Sequence, residues 1–91
     1  MEEKSANETL LEAINRALGQ GATRLVFPRN DLSTLPREIG QLAGLTELNL
    51  SGNNLVYLRR EIGELANLTK LNLSGNKLVT LPREIGQLTN L

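Results

Sequence analysis

Cysteine, histidine and tryptophan are absent from this chain of 91 residues, and Phe, Tyr and Met occur once each. Without cysteine there is no disulfide framework, no thiolate nucleophile and no cysteine-based zinc or iron–sulfur site. Without histidine there is no Ser-His-Asp or Cys-His catalysis, no histidine metal ligand and no histidine pH switch. A single Tyr and a single Phe give no stacking platform for single-stranded nucleic acid. Excess charge of one sign is missing too, since 10 Lys and Arg balance 10 Asp and Glu. Such a chain lacks the field that steers a protein onto nucleic acid or an anionic membrane, so neither is expected as a partner. Long apolar runs are also missing. Nothing approaches the ~20 residues of a membrane span, and the acidic, polar start Met1-Glu2-Glu3-Lys4-Ser5 is not followed by a signal-peptide apolar region. A soluble, cytoplasmic protein is expected.

Chemistry is equally scarce. Ser51-Gly52-Asn53 and Ser74-Gly75-Asn76 lack the spacing of a phosphate-binding loop. Carboxylate pairs occur at Glu2-Glu3 and along rows of Glu interleaved with Arg, where nothing suggests an apolar pocket that would raise a carboxyl pKa. No catalytic, cofactor-binding or metal-ligating residue is expected, and the chain is read as no enzyme.

What is abundant is leucine, at 20 positions, and it recurs in register. Residues 45–67 and 68–90 match at 17 of 23 positions without a gap, and residues 22–44 match the last copy at 13 of 23. A fourth copy begins at Leu91. Within each copy, Leu48 and Leu50 alternate with Glu47 and Asn49, and Leu71 and Leu73 with Lys70 and Asn72. That is strand period with one face buried. Leu25 and Phe27 against Arg24 and Val26 make a weaker version. Copies running the same way set three short strands side by side and parallel, and repeated connections coil into a solenoid. Asn30, Asn53 and Asn76 recur just after the strand, where an amide can satisfy backbone groups freed by the turn and form a buried ladder. Leu32, Leu35, Ile39 and Leu42 then fit one face of a short helical segment, expected to be 3₁₀ or one to two turns, with Pro36 and Pro82 suited to its first turn. Gly40, Gly63 and Gly86 would permit the turn back toward the next strand.

The common pattern, L-x-x-L-x-L-x-x-N-x-L-x-x-L-P-x-x-I-G-x-L-x-x, resembles leucine-rich repeats of the 23-residue bacterial class over residues 22–91. The resemblance implies an α/β fold: a leucine-rich repeat solenoid, a short right-handed coil with a parallel three-stranded concave sheet. It also implies a protein-interaction module. The Leu-Pro-x-x-Ile-Gly-x-Leu copies after a short helix are similar to the repeat domains of bacterial Roco proteins, in which such arrays precede a Ras-like GTPase. A larger signalling parent is implied, although this chain carries no GTPase motif.

Residues 1–21 are expected to form an N-terminal capping helix ahead of repeats 22–44, 45–67 and 68–90. Leu10, Leu11, Ile14, Ala17 and Leu18 make an apolar stripe, Ser5 with Glu8 a capping box with Asn7 competing, and Gly19 a C-terminal stop. At the other end Leu71, Leu73, Leu78, Leu81, Ile85, Leu88 and Leu91 have nothing after them to cover them. Either the chain is a fragment of a longer repeat or signalling protein, or it self-associates there, pairing edge strands antiparallel about a two-fold axis into a homodimer.

For a protein partner of unknown identity, the expected concave surface comprises Arg24, Val26, Arg29, Glu47, Asn49, Lys70 and Asn72. The Arg24–Glu47–Lys70 row alternates in sign, so it reads equally well as a cross-strand charge ladder. Tyr57, with Thr34 and Thr80 in the same column, and Arg59, which replaces a proline, are read as parts of a solvated convex edge.

Overall fold

The computed structural model of the chain describes residues 4–91; Met1–Glu3, and with them the Glu2-Glu3 pair and the start of the expected 1–21 unit, lie outside the described residues. Helix α1 spans Ala6–Gln20. Ser5 caps it. The Ser5 Oγ accepts from the Glu8 main-chain N–H at 3.1 Å, and the Glu8 carboxylate accepts from the Ser5 N–H at 3.5 Å. Two donors that a helix start leaves unpaired are thereby satisfied. The helix ends at Gly21, not at Gly19 as the sequence suggested. Gly21 takes the left-handed conformation at φ +61° and donates to Leu18 O, while Ala22 donates to Ala17 O at 2.9 Å. This pair of bonds is a Schellman closure. The buried stripe is narrower than expected: Leu10, Ile14 and Ala17 are buried, but Leu18 is 49% exposed. Positions 10, 14 and 17 share one line along the helix, and position 18 lies to its side.

Strands β1 (Arg24–Val26), β2 (Glu47–Asn49) and β3 (Lys70–Asn72) form one parallel sheet in chain order. Leu25, Leu48 and Leu71 stand in one row across it. Each strand is followed 11 residues later by a 3₁₀ helix, at Arg37–Gln41, Arg60–Glu64 and Arg83–Gln87. Pro36, Arg59 and Pro82 stand one place before these helices, with extended backbone, rather than inside the first turn. Each full coil thus carries one strand and one 3₁₀ helix, and in the first two coils the leucines between them point inward. The result is a leucine-rich repeat solenoid with α1 packed against the first 3₁₀ helix.

Gly40 and Gly63 serve close packing rather than a turn. Both lie inside 3₁₀ helices, and neither has a positive φ. A Cβ on Gly63 would stand 2.7 Å from the Glu84 carbonyl oxygen, and one on Gly40 would strike the Glu64 carboxylate of the following coil. At Gly63 the 3₁₀ backbones approach too closely for a side chain, whereas at Gly40 the obstacle is the end of the Glu64 side chain, with the Glu61 carbonyl oxygen at 3.2 Å. Beside Gly86 there is open space within 4 Å.

The core is a single column of side chains. Leu45, Leu48, Leu50, Leu55, Ile62, Leu65 and Leu68 are fully buried, and Leu32 and Ile39 join them from the first coil. Asn53 is the buried polar member of the stack. Its Oδ1 accepts from the Asn30 and Leu32 N–H groups at 2.9 and 3.0 Å, and its Nδ2 donates to the Phe27 and Leu50 carbonyls at 3.0 Å each. Asn76 repeats this one coil on, accepting from Leu55 N–H and donating to Leu50 and Leu73 O. The expected ladder is buried only where a coil lies on both sides. Asn76 is half-buried, and Asn30, with no earlier coil to serve, is exposed and donates to its own Pro28 O at 2.7 Å.

Candidate interaction surface

The parallel register sets the outer face of the sheet. Residues alternating with the buried leucines must point away from the core. Arg24, Glu47 and Lys70 therefore form one row and Val26, Asn49 and Asn72 another. A threonine row borders them: Thr46 Oγ1 donates to Thr23 O at 3.1 Å and Thr69 Oγ1 to Thr46 O at 3.0 Å. These hydroxyls tie adjacent coils together, with their protons already donated.

In the charged row, Arg24 Nη2 meets Glu47 Oε2 at 3.1 Å. Lys70 makes no ion pair within 4.0 Å among the described residues. The alternation of sign thus yields one pair and one cation left open to solvent. In the second row, Asn49 Oδ1 accepts from the Ser51 N–H at 3.0 Å, and Asn72 Oδ1 accepts from the Ser74 N–H at 3.0 Å and the Ser74 hydroxyl at 2.7 Å. Val26 is 48% exposed. A shallow recess of about 360 Å³ lies between β2 and β3, lined by Glu47, Asn49, Lys70 and Asn72 with Leu48 and Leu71 at its floor.

Arg29 stands at the sheet's rim in the column of Gly52 and Gly75. Its φ is +54°, a left-handed value like the +70° and +69° of the two glycines. A side chain costs energy there that glycine avoids. Its stem crosses the next coil's turn: a Cβ on Gly52 would lie 2.8 Å from Arg29 Cγ. Asp31 is also left-handed, at φ +59°, and its carboxylate accepts from the Asn54 amide. Sequence reading missed both strained positions, and the signal was the loss of glycine at position 29.

On the opposite edge, Tyr57 is exposed beside Arg59, Arg60 and Glu61 around a shallow recess of about 380 Å³. Arg59 Nε lies 3.3 Å from Glu61 Oε1, and Arg60 Nε lies 3.8 Å from Glu61 Oε2. Hydrogen bonding from its own main-chain N–H, helped by these two guanidiniums, holds the Glu61 carboxyl below the usual carboxylate range. One carboxylate thus offsets part of the charge of two guanidiniums at this edge.

The residues of the C-terminal coil divide into three groups. Leu71, Leu73, Leu78 and Ile85 are partly buried against the core. Leu81 and Leu91 are 51% and 55% exposed. Leu88, expected at the open end, is 4% exposed. It turns inward beside the last 3₁₀ helix and offers nothing to a partner. Two asparagines escaped notice: Asn67 Nδ2 donates to Ala43 O at 3.1 Å, and Asn90 Nδ2 to Ala66 O at 2.9 Å. They form a second amide ladder, invisible in sequence because the first copy has Gly44 in that column. Among the described residues, no three metal-ligating carboxylates come together.

Comparison with known proteins agrees with this geometry. The family model described as Leucine Rich Repeat matches residues 44–65 and 67–88. Residues 22–43, with their departures at Phe27, Pro28-Arg29 and Asp31, lie outside the match. A solved structure of a leucine-rich repeat protein from Leptospira interrogans is similar at 56% identity with a TM-score of 0.76. The match covers 77% of this chain and 18% of that one, so the chain spans less than a fifth of that relative's length. No curated protein matches.

Proposed function

The chain is a leucine-rich repeat protein, and from that premise we propose that it acts as a non-enzymatic scaffold that binds a protein partner on the outer, concave face of its sheet. The carrying observation is the register. Three strands hold Arg24, Glu47 and Lys70, and Val26, Asn49 and Asn72, in rows that the core does not require. The strands fix where these side chains emerge, so the main chain of the face need not reorder to meet an extended partner. The face is small and carries no Trp or Tyr anchor, which supports modest affinity from these coils alone. For a partner isolated with this chain, Val26→Arg together with Asn49→Arg should abolish binding, whereas Arg37→Gln and Arg83→Gln should leave it unchanged. Binding that survives the first pair overturns the assignment of the face.

A second reading is self-association through the C-terminal coil, within a longer repeat protein or between copies of this chain. Exposed Leu81 and Leu91 beside partly buried Leu71, Leu73, Leu78 and Ile85 favour it, because water-facing apolar surface of this kind drives association. Sedimentation at tens of micromolar tests it. A dimer that Leu81→Glu converts to monomer supports the reading, and a clean monomer of the parent chain ends it.

A further inference from the structure

We propose that the recess between β2 and β3 seats a carboxylate from an acidic, extended segment of the partner protein; the inference rests on the sheet being the binding face. A main-chain N–H can only donate, so the amide atom facing the Ser51 N–H, or the Ser74 N–H, has to be oxygen. The Asn49 and Asn72 amides are thereby fixed with Oδ1 occupied and the NH₂ turned away from the turn. Among the described residues neither NH₂ donates a hydrogen bond to a protein acceptor. Asn49 and Asn72 are direct register partners, so these donors sit on neighbouring strands about 4.8 Å apart. Two donors carried on strands so spaced can both reach one carboxylate, whose two oxygens each accept.

Charge points the same way. Lys70 lines the recess without an ion-pair partner among the described residues. Glu47, the one acid there, is engaged by Arg24 at 3.1 Å. Across the strand row two cations, Arg24 and Lys70, stand against one anion, Glu47, in a chain whose formal net charge is zero. The asymmetry is therefore local to the sheet. Charge-assisted hydrogen bonds to a carboxylate are stronger than neutral ones, and the attraction falls with salt. A nucleic-acid strand would meet the same cations but find no aromatic platform on which to stack its bases.

The test uses the isotope-labelled full chain and two synthetic ten-residue peptides, capped at both ends, one of alternating Ser and Asp and one of alternating Ser and Asn. At low salt the Asp peptide should move the side-chain NH₂ signals of Asn49 and Asn72 saturably in nitrogen–proton spectra, and the Asn peptide should not. The double variant Asn49→Asp, Asn72→Asp keeps the oxygens that accept from Ser51 and Ser74, so it should fold. It loses both donors and should bind the Asp peptide at least about tenfold more weakly, while Arg83→Gln on the far edge binds it as the parent does. Equal binding of the two peptides at the sheet would overturn the carboxylate seat and leave the scaffold reading standing. Shifts gathered instead around Arg37, Arg60 and Arg83, undiminished binding by the double variant, or no shift at all would each overturn the inference. The scaffold reading itself falls only by the separate substitutions at Val26 and Asn49.

Discussion

Residues 45–67 and 68–90 share 17 of 23 positions, yet they live in different environments. Leu48, Leu50 and Leu55 of the middle coil are fully buried, while Leu71, Leu73 and Leu78, their counterparts one repeat on, are only partly buried. The middle-coil asparagine is buried, and that of the last coil is half-buried. A glycine wedged against a neighbour at position 63 faces open space at position 86. The chemistry is nearly constant and the position in the stack is not. In a repeat array a residue's worth is set by whether a coil lies on both of its sides, which is the nearest-neighbour logic of solenoids.

Paired substitutions in one column measure that difference directly. Leu48→Ala should cost about 4 kcal/mol, within the range for a fully buried leucine, and Leu71→Ala roughly half as much. Urea denaturation of the two variants checks this. Equal losses would break the comparison and indicate that something covers the last coil in solution. Next comes the amide ladder. Asn53→Ala strands two main-chain donors and two carbonyls and should cost about 3 kcal/mol, against about 1–2 for Asn76→Ala. Replacing glycine should reverse in sign along the chain. Gly63→Ala forces the Glu84 carbonyl aside and should lower the melting temperature, whereas Gly86→Ala meets nothing and should raise stability by about 0.5–1 kcal/mol. The smallest effect belongs to Glu61, on the coil that has Arg59 in place of proline. Its lowered carboxyl pKa gives a contribution present above the ordinary value of 4.5 and lost as pH falls through the lower folded value. Glu61→Gln should therefore flatten the acid limb of the stability profile slightly, and an unchanged limb would show that the main-chain hydrogen bond and the two guanidiniums together add nothing to folding through this carboxylate.

Much of this was legible from residue order because the leucine period, the asparagine column and the Ser5–Glu8 box are local signals with one physical solution each. The strands, the 3₁₀ segments and the start of α1 follow from them. Contacts between coils were harder to read. Gly40 and Gly63 looked like turn formers, and only the packed 3₁₀ backbones show that they are there to admit a neighbour. The sequence pointed to Gly19 as the helix stop, and the Ala22–Ala17 hydrogen bond puts the stop at Gly21 instead. Leu88 follows the same periodic rule as Leu81, but it turns inward while Leu81 faces water. On the sheet, residue order identified which side chains share a row. It did not reveal which ends of the Asn49 and Asn72 amides are spoken for, because that depends on the Ser51 and Ser74 N–H groups two residues on.

The asparagine ladder also has a direction. Asn53 closes the loop at Asn30 and Leu32, 23 and 21 residues before it, and Asn76 closes the one at Leu55. Both of these loops are completed from downstream. A chain emerging amino end first therefore always carries one unfinished loop at its growing edge, and each new coil, on arrival, completes its predecessor before it is itself complete.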